Sequence, residues 1–233
     1  MVTTSTTNFS LPFDEAFEEA YDRVGGELAS GLNDGRLLIR TTNLLFTDWM
    51  NRGVGLWQLE TSTITVVTSQ QNYTIGSDTF DIIGAVLTRS SIDTAMTRIS
   101  FNEWLDLPDK NSGVGRPVQY FLDRQRDAPV LYLYKTPENS TDRFKYWKIR
   151  FIQDAGKMVN TPDLPRRFWP ALVSGLAYYI AQKRLPLNDP MRLQNLAFFK
   201  SEYESDLMKA MEADRERASV FLVPKLRGGW RGG

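Results

Sequence analysis

Residues 144–151 read FKYWKIRF, a run in which bulky apolar and long basic side chains interleave. Side chains leave a β-strand alternately on opposite faces, so a period of two marks this run as a strand. Trp147, Ile149 and Phe151 are expected to form its inner face, with Tyr146, Lys148 and Arg150 on the other. Upstream, from about residue 59, short segments rich in Val, Ile, Thr and aromatics are separated by turn residues, the clearest being 118–123 and 130–134. A short helix is expected around 101–107, stopped by Pro108.

Both flanks of this β region change to a helical period. Phe13, Ala16, Phe17, Ala20, Tyr21 and Val24 recur at three- and four-residue spacing, and Gly25-Gly26 ends the pattern. A second helix is expected over 36–52, with Leu37, Leu38, Thr41, Leu44, Leu45 and Trp49 along one stripe and Gly53 as its stop. After the boundary Thr161-Pro162-Asp163-Leu164-Pro165 the chain returns to helix, where Ala171 and Gly175, four apart, allow close helix contact. A last helix is expected from Asp189-Pro190 to about Arg217, with Leu193, Leu196, Tyr203, Leu207 and Met211 inward. The order helices, strands, helices predicts an α+β fold, a helical bundle made from both chain ends with an inserted antiparallel β domain. The expected divisions are a flexible arm at 1–10, the bundle at 11–58 and 160–217, the β domain at 59–159 and an extended tail at 218–233.

The 233 residues include no cysteine and no histidine, which removes thiol nucleophiles, disulfides, Cys/His zinc sites and an imidazole base. Much of enzymology is excluded by that absence. Net charge is zero but segregated. Residues 1–35 carry seven acids against Arg23, and residues 140–184 carry nine bases against Asp142, Asp154 and Asp163. The two segments are two solvated faces, faces that meet different neighbours, or faces that meet each other. A neutral total argues against an autonomous nucleic-acid binder, whose affinity comes from neutralising phosphates. The longest nearly apolar stretch, 168–181, is too short to span a bilayer.

Few residues invite a chemical reading. Gly53-Val54-Gly55 and Gly113-Val114-Gly115 lack the rest of a phosphate-binding fingerprint and read as turns. Glu103, Asp106 and Asp109 offer the carboxylates a glycosidase needs, and they leave a cell-wall hydrolase open as the alternative. A further alternative, a single-strand binder, would need exposed aromatics beside bases. Of six tryptophans, Trp49, Trp57, Trp104, Trp147 and Trp169 are expected in cores, whereas Trp230 lies among glycines. The tail around it combines Phe221, Leu222, Leu226 and Trp230 with Lys225, Arg227 and Arg231 and contains no acid. It reads either as a partner-binding arm or as a disordered end.

Several blocks in fixed order carry a resemblance: FDEAFEEAYDR at 13–23, LLFTDWMNRGVGLW at 44–57, Arg98-Ile99-Ser100 with Glu103-Trp104, Gly115-Arg116-Pro117, and LPRRFWPALVSGLAYYIA at 164–181. Together they resemble the head-to-tail adaptor (connector) family of podoviruses, tail tubular protein A, over about residues 9–222. The resemblance implies a structural subunit of a bacteriophage neck and no catalytic residue, cofactor or metal. It implies a ring of 12 copies beneath the portal protein, with the tail nozzle or tube below and genomic DNA passing through without sequence-specific binding. Such a subunit would be assembled in the host cytoplasm and reside in the virion, with no membrane partner. The tail residues named above are then candidates for contact with the portal.

Overall fold

The computed structural model describes residues 5–25, 32–110 and 113–215. They form a mixed structure of helices and a curled, antiparallel-rich sheet. Helix α1 (Phe13–Val24) buries Phe13, Ala16, Phe17, Ala20 and Tyr21, and it closes on Gly25, whose φ of 75° is the left-handed turn that glycine adopts without strain. Its first two free N–H groups, on Phe13 and Asp14, donate to the carbonyls of Asn160 and Met158. The chain entering α1 is thereby tied to the segment that follows the sheet. Helix α2 (Leu32–Asn51) buries Leu38, Thr41, Leu45 and Trp49, but Leu44, expected on the same stripe, is 55% exposed.

The strands are β1 (Leu59–Thr65), β2 (Asn72–Thr74), β3 (Thr79–Arg89), β4 (Ile92–Arg98), β5 (Val114–Gly115), β6 (Gln119–Asp123), β7 (Val130–Tyr134), β8 (Thr136–Pro137) and β9 (Arg143–Arg150), with the short helix α3 (Phe101–Asp106) before β5. Seven of them form one sheet in the order β1-β9-β3-β4-β6-β7-β2, antiparallel throughout except for the two-residue parallel pairing of β4 with β6. In a flat sheet β6 and β9, three places apart, would be separated by about 14 Å. The rings of Tyr120 on β6 and Phe144 on β9 nevertheless lie 5.6 Å apart. The sheet therefore curls around its own core, to which Ile82, Leu87, Leu122, Leu131 and Tyr146 also contribute.

Strand β9 corrects the expected facing. Phe144, Tyr146 and Lys148 point into the sheet core, whereas Trp147 is only half-buried and Phe151 is exposed. Ile149 packs instead on the helical core. The misleading residue is Lys148, a cation that reads as solvent-facing. Its ammonium is buried because Asp78 and Glu60 supply counter-charges from elsewhere in the chain.

The remaining helices are α4 (Trp169–Arg184) and α5 (Arg192–Ala213). A single apolar cluster draws on α1, α2, α4 and α5. Helix α4 is apolar nearly all round, with ten buried residues, as expected of a helix with neighbours on most sides. The close contact expected at Gly175 is present, since a Cβ there would fall 3.0 Å from Leu45 Cδ2 and 3.1 Å from Tyr203 Cε2. Helix α5 starts later than expected, because Asp189 Oδ1 accepts the N–H of Met191 and the helical run opens at Arg192. Tyr203 and Leu207 are buried as expected, but Leu193 is 79% exposed.

Inside this cluster the buried indole of Trp49 donates through Nε1 to the Tyr203 hydroxyl at 2.9 Å, and that hydroxyl donates to Asp48 Oδ2 at 3.1 Å. Burial pushes the phenol well above its ordinary pKa, so it stays neutral and keeps its donor proton. Tyr203→Phe is expected to leave the Trp49 N–H buried without an acceptor and to cost about 1–3 kcal/mol in urea unfolding, with no change of fold. An unchanged unfolding midpoint would mean that the indole finds another partner.

Candidate assembly surfaces

Of the carboxylates that invited a catalytic reading, Glu103 has a structural role. Ser100 caps α3 and Glu103 closes the capping box: Glu103 N donates to Ser100 Oγ at 3.3 Å and Ser100 N donates to Glu103 Oε2 at 2.7 Å. These hydrogen bonds hold the Glu103 carboxyl below its usual pKa, the wrong direction for the general acid of a glycosidase. Asp106 and Asp109 are solvent-exposed. Among the described residues, no group of three or more acidic side chains is placed to hold a metal ion. Gly53 and Gly55 both have positive φ and turn the chain out of α2, where Val54 N donates to Trp49 O at 3.1 Å. That is the helix-terminating role expected for a turn.

The charge segregation resolves unequally. On α1 the carboxylates of Glu15, Glu18, Glu19 and Asp22 occupy the solvent face, and among the described residues only Glu19 of these is paired, with Arg23, which also reaches Glu202 on α5. Part of the basic segment, by contrast, is neutralised within the chain. Lys148 meets Asp78 and Glu60, Arg150 meets Glu60 and Asp163, and Arg167 meets Asp214. Among the described residues, cations of the helical part without an ion pair include Arg36 and Arg40 on α2, the latter near Lys183 on α4. Lys183 Nζ donates to Thr41 Oγ1 at 2.6 Å, and burial together with the nearby Arg40 lowers its pKa. Arg36, Ile39, Arg40, Asn43, Leu44 and Thr47 line a groove along the outer side of α2. Sequence reasoning missed this groove by assigning Leu44 to the core. The available signal was Arg36 and Arg40, one helical turn apart with no acid at a neighbouring turn position.

Apolar surface is also left uncovered. In the first half of α5 no residue before Tyr203 is fully buried, and Leu193 and Phe198, with Leu187 and Met191 just ahead of the helix, are exposed. Isolated exposed apolar residues are ordinary, but several gathered on and just ahead of one helix make this end of α5 a candidate interaction surface. Of the tryptophans expected in cores, Trp49, Trp104 and Trp169 are buried, while Trp57 and Trp147 are half-buried. The tail candidates Phe221, Leu222, Lys225, Leu226, Arg227, Trp230 and Arg231 lie outside the described residues.

Open apolar surface of this kind suits a structural assembly protein, and comparison with known families is specific on this point. Residues 3–225 match the family model described as SU10 adaptor protein. The chain belongs to that family, a family of phage head-to-tail adaptors, and is accordingly a virion component that contacts other phage structural proteins. No curated protein matches the sequence. Among the described residues, no helix is long and apolar enough to cross a membrane.

Proposed function

We propose that the chain is the adaptor subunit of a phage neck, present as a ring of 12 copies between the portal protein and the tail nozzle or tube, through which the genome passes. The observation that carries this reading, given the family, is the wet apolar run on α5, which neighbours in the neck would cover. Residues 11–58 and 160–217 act as a helical bundle that forms the body of the ring. Residues 59–159 are a β unit inserted in it, and the tail at 218–233 reaches the portal. The role is structural, and the exposed, acid-shifted Glu103 gives the hydrolase alternative no support. DNA is a passenger, held weakly and without sequence preference, because tight phosphate neutralisation would retard its passage. Assembly takes place in the host cytoplasm before the part joins the virion.

The isolated subunit is expected to be largely monomeric and to form rings only on its portal, since rings closed beforehand would be lost to assembly. Mass photometry of the purified chain, alone and with portal, reads this directly. A stable ring without portal would overturn the order of assembly, and absence of any ring on portals would overturn the proposed function itself.

A further inference from the structure

We propose that the groove along α2, where Ile39 and Leu44 accompany Arg36 and Arg40, receives the acidic face of α1 from a second copy of this chain. The inference rests on the multi-copy reading above and names the surfaces through which neighbouring copies meet.

The two surfaces match in charge and in form. Glu15, Glu18 and Asp22 are spaced by three and four residues, so their carboxylates form one stripe about 10 Å long on α1. Burial of Phe13, Phe17 and Tyr21 on the opposite side holds that stripe toward solvent. Arg36 and Arg40 stand one turn apart, about 6 Å along α2. Among the described residues, neither these arginines nor Glu15, Glu18 and Asp22 have an ion-pair partner within the chain. Lys183 adds a third cation beside them, with a hydroxyl and no carboxylate for company. The depression of its pKa by burial and by Arg40 is the mark of positive charge gathered without a counter-ion, which an incoming carboxylate row would relieve.

The groove is more than a charged strip. Leu44, 55% exposed, and the half-buried Ile39 give it apolar surface against which the stems of the α1 glutamates can pack. A site built to track a nucleic-acid backbone would carry cations and stacking aromatics along its length, whereas the lining here has two arginines, two aliphatic side chains and no aromatic. Because the donor and acceptor surfaces differ, each contact leaves one surface of either kind free unless two copies pair reciprocally, and repetition by a closing rotation gives the ring proposed above.

The absence of cysteine allows a direct test, because introduced thiols are the only ones present. The full-length Glu18→Cys/Leu44→Cys variant, assembled on portal and oxidised, is expected to give a ladder of disulfide-linked multimers on a non-reducing gel. Each single variant should stay monomeric there. In parallel, Arg36→Glu/Arg40→Glu and Glu15→Arg/Glu18→Arg should each raise the concentration needed for ring formation at least tenfold. The four changes combined should restore it, and circular dichroism should show all variants folded. Rings visible by electron microscopy but giving no ladder would overturn the proposed contact while the ring reading stands. So would reversed arginines that assemble normally, or a fourfold variant that fails to recover. If the arginine reversals abolish binding of a duplex DNA probe and leave assembly untouched, the groove belongs to the genome and the proposal falls. If the unmodified chain forms no ring on portal, the proposed function fails and the contact between copies fails with it.

Discussion

Phe144→Ala is expected to destabilise the protein by about 3–5 kcal/mol, the usual cost of emptying a buried phenylalanine site. Phe144 is fully buried and its ring lies 5.6 Å from Tyr120 and 5.5 Å from Tyr146, so its loss opens the centre around which the sheet curls. Stabilities of single domains are about 5–15 kcal/mol, so one substitution removes a large share. Trp147→Ala, three residues along the same strand, should cost less, about 0.5–1.5 kcal/mol, because its ring is partly exposed and lies outside both apolar clusters, with Lys145 Nζ 5.5 Å from its centroid. Urea unfolding of the two full-length variants makes the comparison. Equal losses would return Trp147 to the core and undo the assignment of strand faces. A soluble, folded Trp147→Asp protein would support the assignment.

Helix α1 was legible because every cue agreed: an apolar stripe, acids on the opposite side and a glycine at the stop. Strands β6 and β7 were likewise found to within a residue, bounded by turn residues and rich in aromatics. Strand β9 was recognised as a strand but turned over. Both of its faces carry large apolar groups, and the charge that would have decided between them is neutralised by Asp78, 70 residues away. Pairings of that kind leave no local trace, and for the same reason the basic run at 140–184 looked like a free face while Glu60, Asp78 and Asp214 were already neutralising it. The sheet order, with β1 beside β9 and β4 parallel to β6, also depends on long-range contacts that periodicity does not encode.

Leu193 shows a different limit. Its spacing to Leu196, Tyr203 and Leu207 continues a helical stripe, so pattern alone placed it inward. Yet only the second half of α5 has fully buried side chains, and the apolar face runs on past them into solvent. A sequence pattern marks a face that something covers and does not say whether the cover is the same chain. For an assembly protein that difference is the functional information, and the family match accordingly spans residues 3–225 and is not confined to one local motif.

Removing residues 218–233 is expected to abolish stable attachment to the portal while leaving the subunit folded. Folding should survive because the described fold closes before the cut. Ala210 is the last buried apolar residue of α5, and Asp214 ends the helix by accepting Leu56 N at 2.9 Å and pairing with Arg167. Attachment should fail because the deleted segment concentrates what a groove on a partner would recognise. Phe221, Leu222, Leu226 and Trp230 are apolar anchors, and Lys225, Arg227 and Arg231 are cations with no acid among them. One such segment binds weakly, since each backbone residue fixed on docking costs about 1–2 kcal/mol. Held in the proposed ring, successive copies would engage at high effective concentration, and avidity can exceed the single affinity by ~10²–10⁴ without any new contact. The loss on truncation should therefore be steep: full decoration of portals by the intact chain and none by the shortened one. Co-sedimentation with portal measures it, and circular dichroism confirms that the truncated chain keeps its helices. Full occupancy by the truncated chain would show that the portal is held by the helical surfaces, with the wet face of α5 the first to be mutated.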